Sequence, residues 1–568
     1  MIRRRQPVAI GDGDWGGLPP LLQRLHAARG ATCIAEARPR LSQLHPPDAL
    51  DGLEAAVRLL AEAIETGRHI VVVGDFDCDG ATACAVGVRG LRMLGAARVS
   101  PAVPNRAVHG YGLSPALVAE LAALQPELLV TVDHGIACHA GIAAAKARGW
   151  QVLVTDHHLP GAALPPADAI VNPNLRGDAF PSKALAGVGV VFYLLLALRA
   201  GLRKAGDGRG HADLSSLLDL VAVGTVADLV PLDANNRALV AAGLRRMREG
   251  QGCAGLRALV QVAGRDERAL TTADIGYAIA PRINAAGRLE DMGTGIDCLL
   301  TDDQARARTL ASALHAINSE RQEMQQQMLD QAEAALARLD LGGDIPAVPC
   351  LYDPGWHPGV VGLVASRIKE RLHRPVLAFA PAAPGASQLR GSARSIGGLH
   401  VRDLLAAVDA ANPGLVERFG GHAMAAGLSL ARDALPAFER ALAHEAAVML
   451  DPSLLAAEVV SDGELQPHEF DIHHARLLRD GGPWGQGYPE PLFDGVFDVA
   501  RTRVVGERHL KLDLSLQGRR LDAIHFGGAA QPAEGRVRIA FRLEPDGYRG
   551  GDAIQLLVVH REAASVAT

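Results

Sequence analysis

The chain has 568 residues, of which 48% are hydrophobic, with a formal net charge of −6 and a sequence pI near 6.4. This length predicts about three or four domains, and the negative charge excludes a general polycation, so any nucleic-acid contact must come from a local basic groove. The seven cysteines form no Cys-x-x-Cys pair, which favours a reducing cytoplasm. No uncharged stretch is longer than 184–198, which is shorter than the roughly 20 residues of a membrane span.

After a turn-rich N-terminal region, strands and helices alternate along the first part of the chain. The strands are predicted at 70–73, 98–103, 128–132, 151–155 and 169–171, and the helices between them at 82–94, 115–124 and 140–148. This alternation predicts a parallel sheet with helices on both faces. The carboxyl ends of parallel strands meet at one edge, where ligands bind in such sheets.

The acidic residues that follow the first of these strands indicate a metal site. The strand at 70–73 runs directly into Asp75, Asp77 and Asp79, and three carboxylates this close repel one another unless a cation lies between them. An EF-hand calcium loop opens with the same pattern, but it needs a glutamate at its twelfth position and a preceding helix. Here the twelfth residue is Val86, so the EF-hand is set aside, whereas a solvated acidic turn remains an alternative.

Other segment ends supply further candidate ligands. Asp133, His157 and His158 follow predicted strands, and Asp228 follows the apolar stretch 217–226. An Asp among apolar residues is costly unless it is paired or ligated, although Asp228 could instead cap the next turn. Mixed carboxylate and imidazole ligands suit Mn²⁺ or Mg²⁺, and this many ligands exceed the needs of one cation. Two cations about 3.5–4 Å apart are the arrangement that supports phosphodiester cleavage.

The neighbours of these ligands allow more than one interpretation. Asp156 could simply cap a turn, and one of the two adjacent histidines could orient a ligand instead of binding metal. Cys78 is interpreted as a small buried residue that points away from the metal. His134 is interpreted either as a substrate contact or as a surface residue.

The rest of the chain predicts a connecting helix and two more domains. Residues 302–339 contain neither Pro nor Gly, and a continuous helix there would span roughly 57 Å. Residues 346–450 form a second α/β pattern, in which segments 391–395 and 419–422 combine small residues with Arg or His. This combination suits backbone approach to a phosphate, although Gly-Gly pairs are mostly turns. Five strand segments after about residue 459 indicate an OB-type barrel.

Several motifs together resemble a known family, the DHH phosphoesterase superfamily. The motifs that carry this resemblance are Asp-x-Asp-x-Asp-Gly at 75–80, Val-Asp-His-Gly-Ile at 132–136, Asp-His-His at 156–158 and Val-Ala-Asp at 226–228. Similarity to the bacterial single-strand-specific exonucleases of this superfamily comes from segments 103–106, 281–288, 356–360, 392–395, 420–422 and 482–487. The resemblance spans roughly residues 50 to 560.

The resemblance implies an α/β fold with a parallel-sheet DHH domain, a long connecting helix, a second α/β DHH-associated domain and a C-terminal OB-fold β-barrel. We expect these parts at residues 1–300, with an N-terminal extension, and at 301–341, 342–450 and 455–568.

The resemblance also implies roles for individual residues. Two divalent cations, Mn²⁺ or Mg²⁺, would be held by Asp75, Asp77, Asp79, Asp133, His157 and Asp228. The catalytic residues would be Asp133, His157 and His158. The 5′-terminal phosphate would be bound by Arg106, Ser392 and Arg394, and the DNA strand by Arg282, Arg288, His357, Gly421 and His422.

Two positions depart from the family pattern. His134 stands where Asn or Cys is expected, and Ala107, Val108 and His109 stand where acidic residues are common. Neither departure removes a predicted ligand. The roles of His109 and His134 are left open.

The implied function is a metal-dependent exonuclease that degrades single-stranded DNA from 5′ to 3′ into 5′-mononucleotides, in DNA repair and recombination. Such an enzyme would be a soluble cytoplasmic monomer that works with a single-stranded-DNA-binding protein and a helicase. One alternative is a DHH enzyme acting on short RNA or cyclic dinucleotides, whose usual form lacks an OB domain. Another is a non-catalytic DNA-binding scaffold, but relatives of that kind lose the acidic motifs that are intact here.

Overall fold

The structure is a computed structural model, which describes residues 1–11, 13–105, 108–338, 345–456, 458–530 and 534–564. The chain divides into two compact units. The larger unit comprises residues 2–316 and 459–568, and the smaller comprises Met1 and residues 317–458. The last residues of the predicted connecting part, 339–341, lie outside the described residues.

The larger unit contains the predicted parallel sheet, preceded by β1 (Ile2–Arg4), α1 (Pro20–Ala27), α2 (Ile34–Ala37) and α3 (Leu53–Glu65). The strands of the sheet are β2 (Ile70–Val73), β3 (Val99–Ala102), β4 (Leu128–Val132), β5 (Gln151–Thr155) and β6 (Ala169–Val171). The helices between the strands are α4 (Cys78–Met93), α5 (Pro115–Leu121) and α6 (His139–Ala147).

The order of the strands determines where a ligand can bind. The order is β3-β2-β4-β5-β6, with every neighbouring pair parallel. Every residue of β2 and β4 is buried, as their uninterrupted apolar sequences predict. Because β3 and β4 lie on opposite sides of β2, the connections from β2 lead to both sides of the sheet, and the switch point lies between β2 and β4. Ligands of such sheets bind at the switch point, beyond the carboxyl ends of the strands.

A helical region follows the sheet. Its helices are α7 (Gly187–Lys204), α8 (Leu218–Ala227), α9 (Ala234–Arg248), α10 (Ala254–Val262), α11 (Thr272–Asp274), α12 (Ala280–Leu289), α13 (Gly293–Leu300) and α14 (Gln304–Arg338). The helix α14 is the predicted long helix, and the division between the two units falls within it. Among the described residues, no helix combines the length and apolar character that a membrane span requires.

The smaller unit has its own mixed sheet, in the order β10-β11-β9-β8-β7. Only the pair β7 and β8 is parallel. Apolar residues from both faces form two clusters within this unit. Its elements are β7 (Cys350–Tyr352), α15 (Val361–Leu372), β8 (Val376–Pro381), β9 (Gln388–Arg394), α16 (Val401–Ala411), β10 (Arg418–Gly421), β11 (Ala425–Ala431) and α17 (Leu435–Met449).

The C-terminal region forms a closed five-stranded barrel, in the order β13-β14-β15-β17-β16, as predicted for an OB fold. Its core includes the packed rings of Phe493, Phe497 and Phe541. The elements of this region are β12 (Val459–Ser461), α18 (Ile472–Asp480), β13 (Phe493–Val505), β14 (His509–Leu516), β15 (Arg519–His525), β16 (Arg536–Pro545) and β17 (Ile554–Ala563).

The N-terminal segment is attached to this C-terminal region, which its sequence did not indicate. Strand β1 pairs in parallel with β12. Both Arg4 and Arg538 form ion pairs with the buried carboxylate of Asp494. A buried carboxylate with two guanidinium partners is well compensated, so the chain termini are held together in one unit.

Candidate metal centre

The first three predicted ligands lie beyond the carboxyl end of β2. Asp75 and Asp77 are in the loop after the strand, whereas Asp79 is in the first turn of α4. The helix begins at Cys78, four residues earlier than predicted, because the Asp77 side chain caps it by accepting a hydrogen bond from the Gly80 N–H at 2.9 Å. The acidic motif is therefore half loop and half helix.

All the predicted metal ligands come together with His158 in three overlapping trios. In each trio, one potential ligand atom from each residue lies within 4.8 Å of the others. The Nε2 atom of His157 is 3.1 Å from Asp133 Oδ1 and 3.5 Å from Asp228 Oδ2. The trios are Asp79, His157 and Asp228; Asp75, Asp77 and Asp133; and Asp133, His157 and His158.

Burial, reinforced by repulsion from neighbouring carboxylates, raises the pKa values of three acidic residues of this centre. Burial, together with repulsion from Asp77, raises the pKa of Asp79 to about 7. Burial, together with repulsion from Asp79 and Asp77, raises the pKa of Asp228 to about 9. The pKa of Asp133 is raised well above its usual range by burial and by the neighbouring carboxylates.

Two oxygens of these carboxylates show that the residues fit a metal ion. Asp133 Oδ1 and Asp228 Oδ2 are buried, and neither accepts a hydrogen bond from the part of the chain that is described. Buried carboxylate oxygens are normally satisfied by a donor or a cation. A hard divalent cation is the partner that carboxylate and imidazole ligands suit best.

Backbone groups at the start of α7 hold two of the ligands in place. The N–H groups of Gly187 and Val188 donate to the two oxygens of Asp79 at 2.6 and 3.0 Å. Gly187 also approaches Asp133, because a Cβ atom at this position would lie 2.4 Å from Asp133 Cβ. Asp133 itself has a positive φ of 64°, a strained conformation that its surroundings must impose. Sequence reasoning missed this contribution of α7.

Asp156 orients His158, which goes beyond the turn-capping role considered from the sequence. Its carboxylate lies 2.7 Å from His158 Nδ1 and accepts the N–H groups of Ile136, His157 and His158. Burial raises the pKa of Asp156, but the contacts with His158 outweigh it and bring the pKa down to about 2. Burial lowers the pKa of His158, but the hydrogen bond with Asp156 outweighs it, so the pKa is raised overall.

Two asparagines beyond β6 support the same histidines. Asn174 Nδ2 donates to the carbonyl of His157 at 2.5 Å, and Asn172 Nδ2 donates to the carbonyl of His158 at 2.9 Å. The signal in the sequence was the Asn-Pro-Asn segment directly after the short strand. Asparagine beside proline is also typical of ordinary turns, so this segment alone does not indicate such a role.

The structure corrects the interpretation of His134 and gives His109 a role. His134 is neither a surface residue nor exposed to substrate: it is fully buried, and its Nε2 lies 3.1 Å from the Val73 carbonyl. Burial lowers the pKa of His134 to about 4, so this imidazole is neutral and links β4 to β2. His109 Nδ1 accepts the Asn105 N–H at 3.0 Å, and His109 Nε2 lies 3.1 Å from Glu120 Oε2 in α5, so these three residues are linked.

The helix α12 carries two of the predicted DNA contacts and braces the acidic loop. Asn284 Oδ1 accepts the Cys78 N–H at 2.8 Å. Cys78 itself is buried, as predicted. Arg282 donates to the Ala278 carbonyl and lies 3.1 Å from His315 Nδ1, and Arg288 is in the last turn of the helix. The motif at 281–288 therefore has a structural role at the metal centre.

In the smaller unit, Ser392 and Arg394 lie together beside the start of α15. Arg394 donates to Ser392 Oγ at 2.8 Å and to Ser366 Oγ at 3.2 Å. Burial alone lowers the pKa of Arg394, and none of the described carboxylates pairs with it. A cation buried beside a helix N-terminus is the arrangement that anions favour. A Cβ atom on Gly362 would lie 2.7 Å from Arg394 Nη2, so the helix approaches closely.

The other predicted DNA contacts, His357, Gly421 and His422, belong to the smaller unit. His357 Nδ1 accepts the Gly359 N–H at 3.1 Å, in the segment that leads into α15. Gly421 ends the edge strand β10, and the His422 N–H that follows donates to the Ala425 carbonyl. Arg106 lies outside the described residues.

The ligand groups and the strand order define a class of protein: one with a candidate two-cation centre at the carboxyl edge of a parallel sheet. The description "DHH family, N-terminal domain" matches residues 69–225, "DHHA1 domain" matches 345–447, and "RecJ OB domain" matches 461–560.

Relatives that match nearly the whole chain identify the family within this class. The single-stranded-DNA-specific exonuclease RecJ of Escherichia coli is 50% identical over 568 residues, which covers 98% of each chain. RecJ of Thermus thermophilus is 37% identical over 92% of this chain and 73% of its own. The chain belongs to the RecJ family.

Solved structures agree with this assignment. The crystal structure of Thermus thermophilus RecJ in complex with Mn²⁺ matches with a TM-score of 0.78 and 32% identity, covering 98% of this chain and 80% of the other. A second structure, of an exonuclease RecJ bound to manganese, has a TM-score of 0.59 and 38% identity, covering 72% of this chain and 97% of the other.

Proposed function

We propose that this chain hydrolyses single-stranded DNA from its 5′ end and releases 5′-mononucleotides, with Mn²⁺ or Mg²⁺ as cofactors, in DNA repair and recombination. It is an exodeoxyribonuclease, a hydrolase of phosphodiester bonds. The observation that carries this function is the meeting of all six predicted metal ligands at one sheet edge, in a member of the RecJ family.

The six proposed metal ligands divide into two sets of three residues, and the two sets lie next to each other. Asp79, His157 and Asp228 would hold one cation, and Asp75, Asp77 and Asp133 would hold the other. When bound, two divalent cations neutralise the carboxylates and promote attack of water on a phosphodiester. Gly187 and Val188 fix the carboxylate of Asp79 by backbone hydrogen bonds, so the site is largely preorganised.

His158 would support the scissile phosphate. Asp156 holds its ring through Nδ1 and raises its pKa, which favours the cationic imidazolium that an anionic phosphate attracts. The catalytic set is thus Asp133, His157 and His158, with Asp156 fixing the orientation of the last.

Ser392 and Arg394 would bind the 5′-terminal phosphate, together with Arg106. The buried guanidinium of Arg394, without a carboxylate partner among the described residues, supports this role. The DNA strand would be contacted by Arg282, Arg288, His357, Gly421 and His422. This assignment rests on the family resemblance and on side chains that are guanidinium, imidazole or, in Gly421, absent.

Further proposals come from the family resemblance alone. We propose that the chain acts in the cytoplasm as a monomer, with a single-stranded-DNA-binding protein and a helicase that supply single strands. We also propose functional domains at 1–300, 301–341, 342–450 and 455–568, with the OB domain holding the trailing strand by stacking and phosphate contacts.

A substrate comparison tests this function. The full chain with Mn²⁺ is given long single-stranded DNA, the matching duplex, short RNA or a cyclic dinucleotide, and the products are separated by size. We expect 5′-mononucleotides from single-stranded DNA and little product from the duplex. Preferred hydrolysis of the short RNA or the cyclic dinucleotide would contradict the proposal, and so would equal cleavage with Mn²⁺ and with chelator.

A further inference from the structure

The Gly-Pro-Trp-Gly-Gln-Gly segment at 482–487 packs against the loop that follows Asp228. The carbonyl of Gln486 accepts the Leu232 N–H at 2.7 Å. Gly487, with a positive φ of 71°, approaches the same loop: a Cβ atom there would lie 3.3 Å from Pro231 Cβ. On its other side the segment is anchored by Thr272, whose hydroxyl donates to the Trp484 carbonyl at 2.6 Å.

The loop at 228–233 contains a strained residue. Asp228 directly follows the last residue of α8, and the next residue, Leu229, has a φ of 61° and an exposed side chain. A left-handed conformation is unusual for a bulky residue, and such conformations persist where the surrounding structure imposes them. The contacts that hold Pro231 and Leu232 are therefore candidates for what fixes Asp228.

Arg237 of α9 contacts both the loop at 228–233 and Tyr488, the residue that directly follows the segment at 482–487. Its Nη1 donates to the Leu232 carbonyl at 2.8 Å, and its guanidinium carbon lies 3.9 Å from the centre of the Tyr488 ring. Tyr488 is itself held by His26, whose Nδ1 is 2.7 Å from the phenol oxygen. A planar guanidinium donates along its edge while its face stacks on a ring, an arrangement that the single nitrogen of a lysine does not reproduce.

We propose that the segment 482–488 is a positioning element for Asp228, so that a part of the chain adjoining the barrel sets the affinity of one of the two metal sites. This inference rests on the metal sites of the proposed function. Asp228 belongs to only one of the two proposed ligand sets, whereas Asp75, Asp77 and Asp133 follow β2 and β4. A substitution that disturbs the segment should therefore weaken the binding of one cation and leave the binding of the other unchanged.

The test is a Mn²⁺ titration of the metal-free full chain, without DNA, followed by electron paramagnetic resonance. Gly487→Ala strains the backbone and presses on Pro231, and Gly518→Ala is its control, because Gly518 also has a positive φ (83°) but no atom within 4 Å of a Cβ. Arg237→Lys removes the guanidinium that contacts both the Leu232 carbonyl and the Tyr488 ring. Arg245→Lys, on the exposed side of the same helix, is its control.

We expect wild type and both controls to bind two Mn²⁺ ions with unchanged affinity. Gly487→Ala and Arg237→Lys should bind one ion about tenfold more weakly, the effect typical of groups that orient a metal ligand, and the other as wild type does. Wild-type affinity for both ions in both variants would overturn the inference, as would an equal loss of both ions, which signals general unfolding. If wild type itself bound no Mn²⁺, the proposed metal sites would fail as well.

Discussion

The close approach of α7 to the metal centre makes Gly187→Ala a sharp perturbation. The new Cβ would lie 2.4 Å from Asp133 Cβ and 2.6 Å from Asp133 Oδ1, whereas ordinary van der Waals contact begins at 3.4 Å. The helix or the Asp133 loop must therefore shift by about 1 Å. Overpacking of this kind costs about 1–3 kcal/mol, which corresponds to roughly 5- to 150-fold weaker binding if the cost falls on the metal-bound conformation.

Mn²⁺ binding to both ligand sets should weaken in Gly187→Ala. Gly187 lies against Asp133 of one set, and its N–H donates to Asp79 of the other. The assay measures the Mn²⁺ concentration that gives half-maximal exonuclease activity, together with calorimetric Mn²⁺ binding. Gly201→Ala in the same helix is the control, since its Cβ would meet only the Val57 side chain, at 3.2 Å. An unchanged Mn²⁺ requirement in Gly187→Ala, or an equal change in Gly201→Ala, would refute this reasoning.

Three further predictions concern other parts of the chain. Asp133→Ala should abolish cleavage with little change in the affinity for single-stranded DNA; turnover at the wild-type rate would remove it from the catalytic set. Arg394→Ala should slow the degradation of 5′-phosphorylated ends more than of 5′-hydroxyl ends, whereas Arg390→Ala, exposed on the same strand, should not. Burial lowers the pKa of His26 from 6.5 to about 3, so between these two pH values mainly the unfolded state gains the proton. Stability should fall by about 1.6 kcal/mol between pH 6.5 and pH 5 through this group, as measured by urea unfolding, and less in His26→Gln.

The sequence was sufficient to predict those features that short-range patterns determine. The strand Ile70–Val73 was predicted from its β-branched apolar run, and five barrel segments were predicted from their alternation. The ligand positions followed because parallel strands deliver their ends to one edge. The sequence also placed the helix after the acidic motif, but too late, because the capping role of Asp77 was not recognised.

Features that depend on distant contacts could not be predicted. Gly187 and Val188 bind Asp79, which lies more than a hundred residues earlier in the chain. The burial of His134 depends on the carbonyl of Val73 in a neighbouring strand, and nothing in its local sequence indicates that contact. The N-terminal segment carries little local signal, yet Arg4 pairs with Asp494 near the other end of the chain.

The central claim is that the acid and imidazole side chains at this sheet edge hold two divalent cations. Crystals grown with Mn²⁺ and measured near the manganese absorption edge test it directly. We expect two anomalous peaks, one bounded by Asp79, His157 and Asp228 and the other by Asp75, Asp77 and Asp133. A structure with ordered side chains at these positions and no anomalous peak between them would contradict the claim.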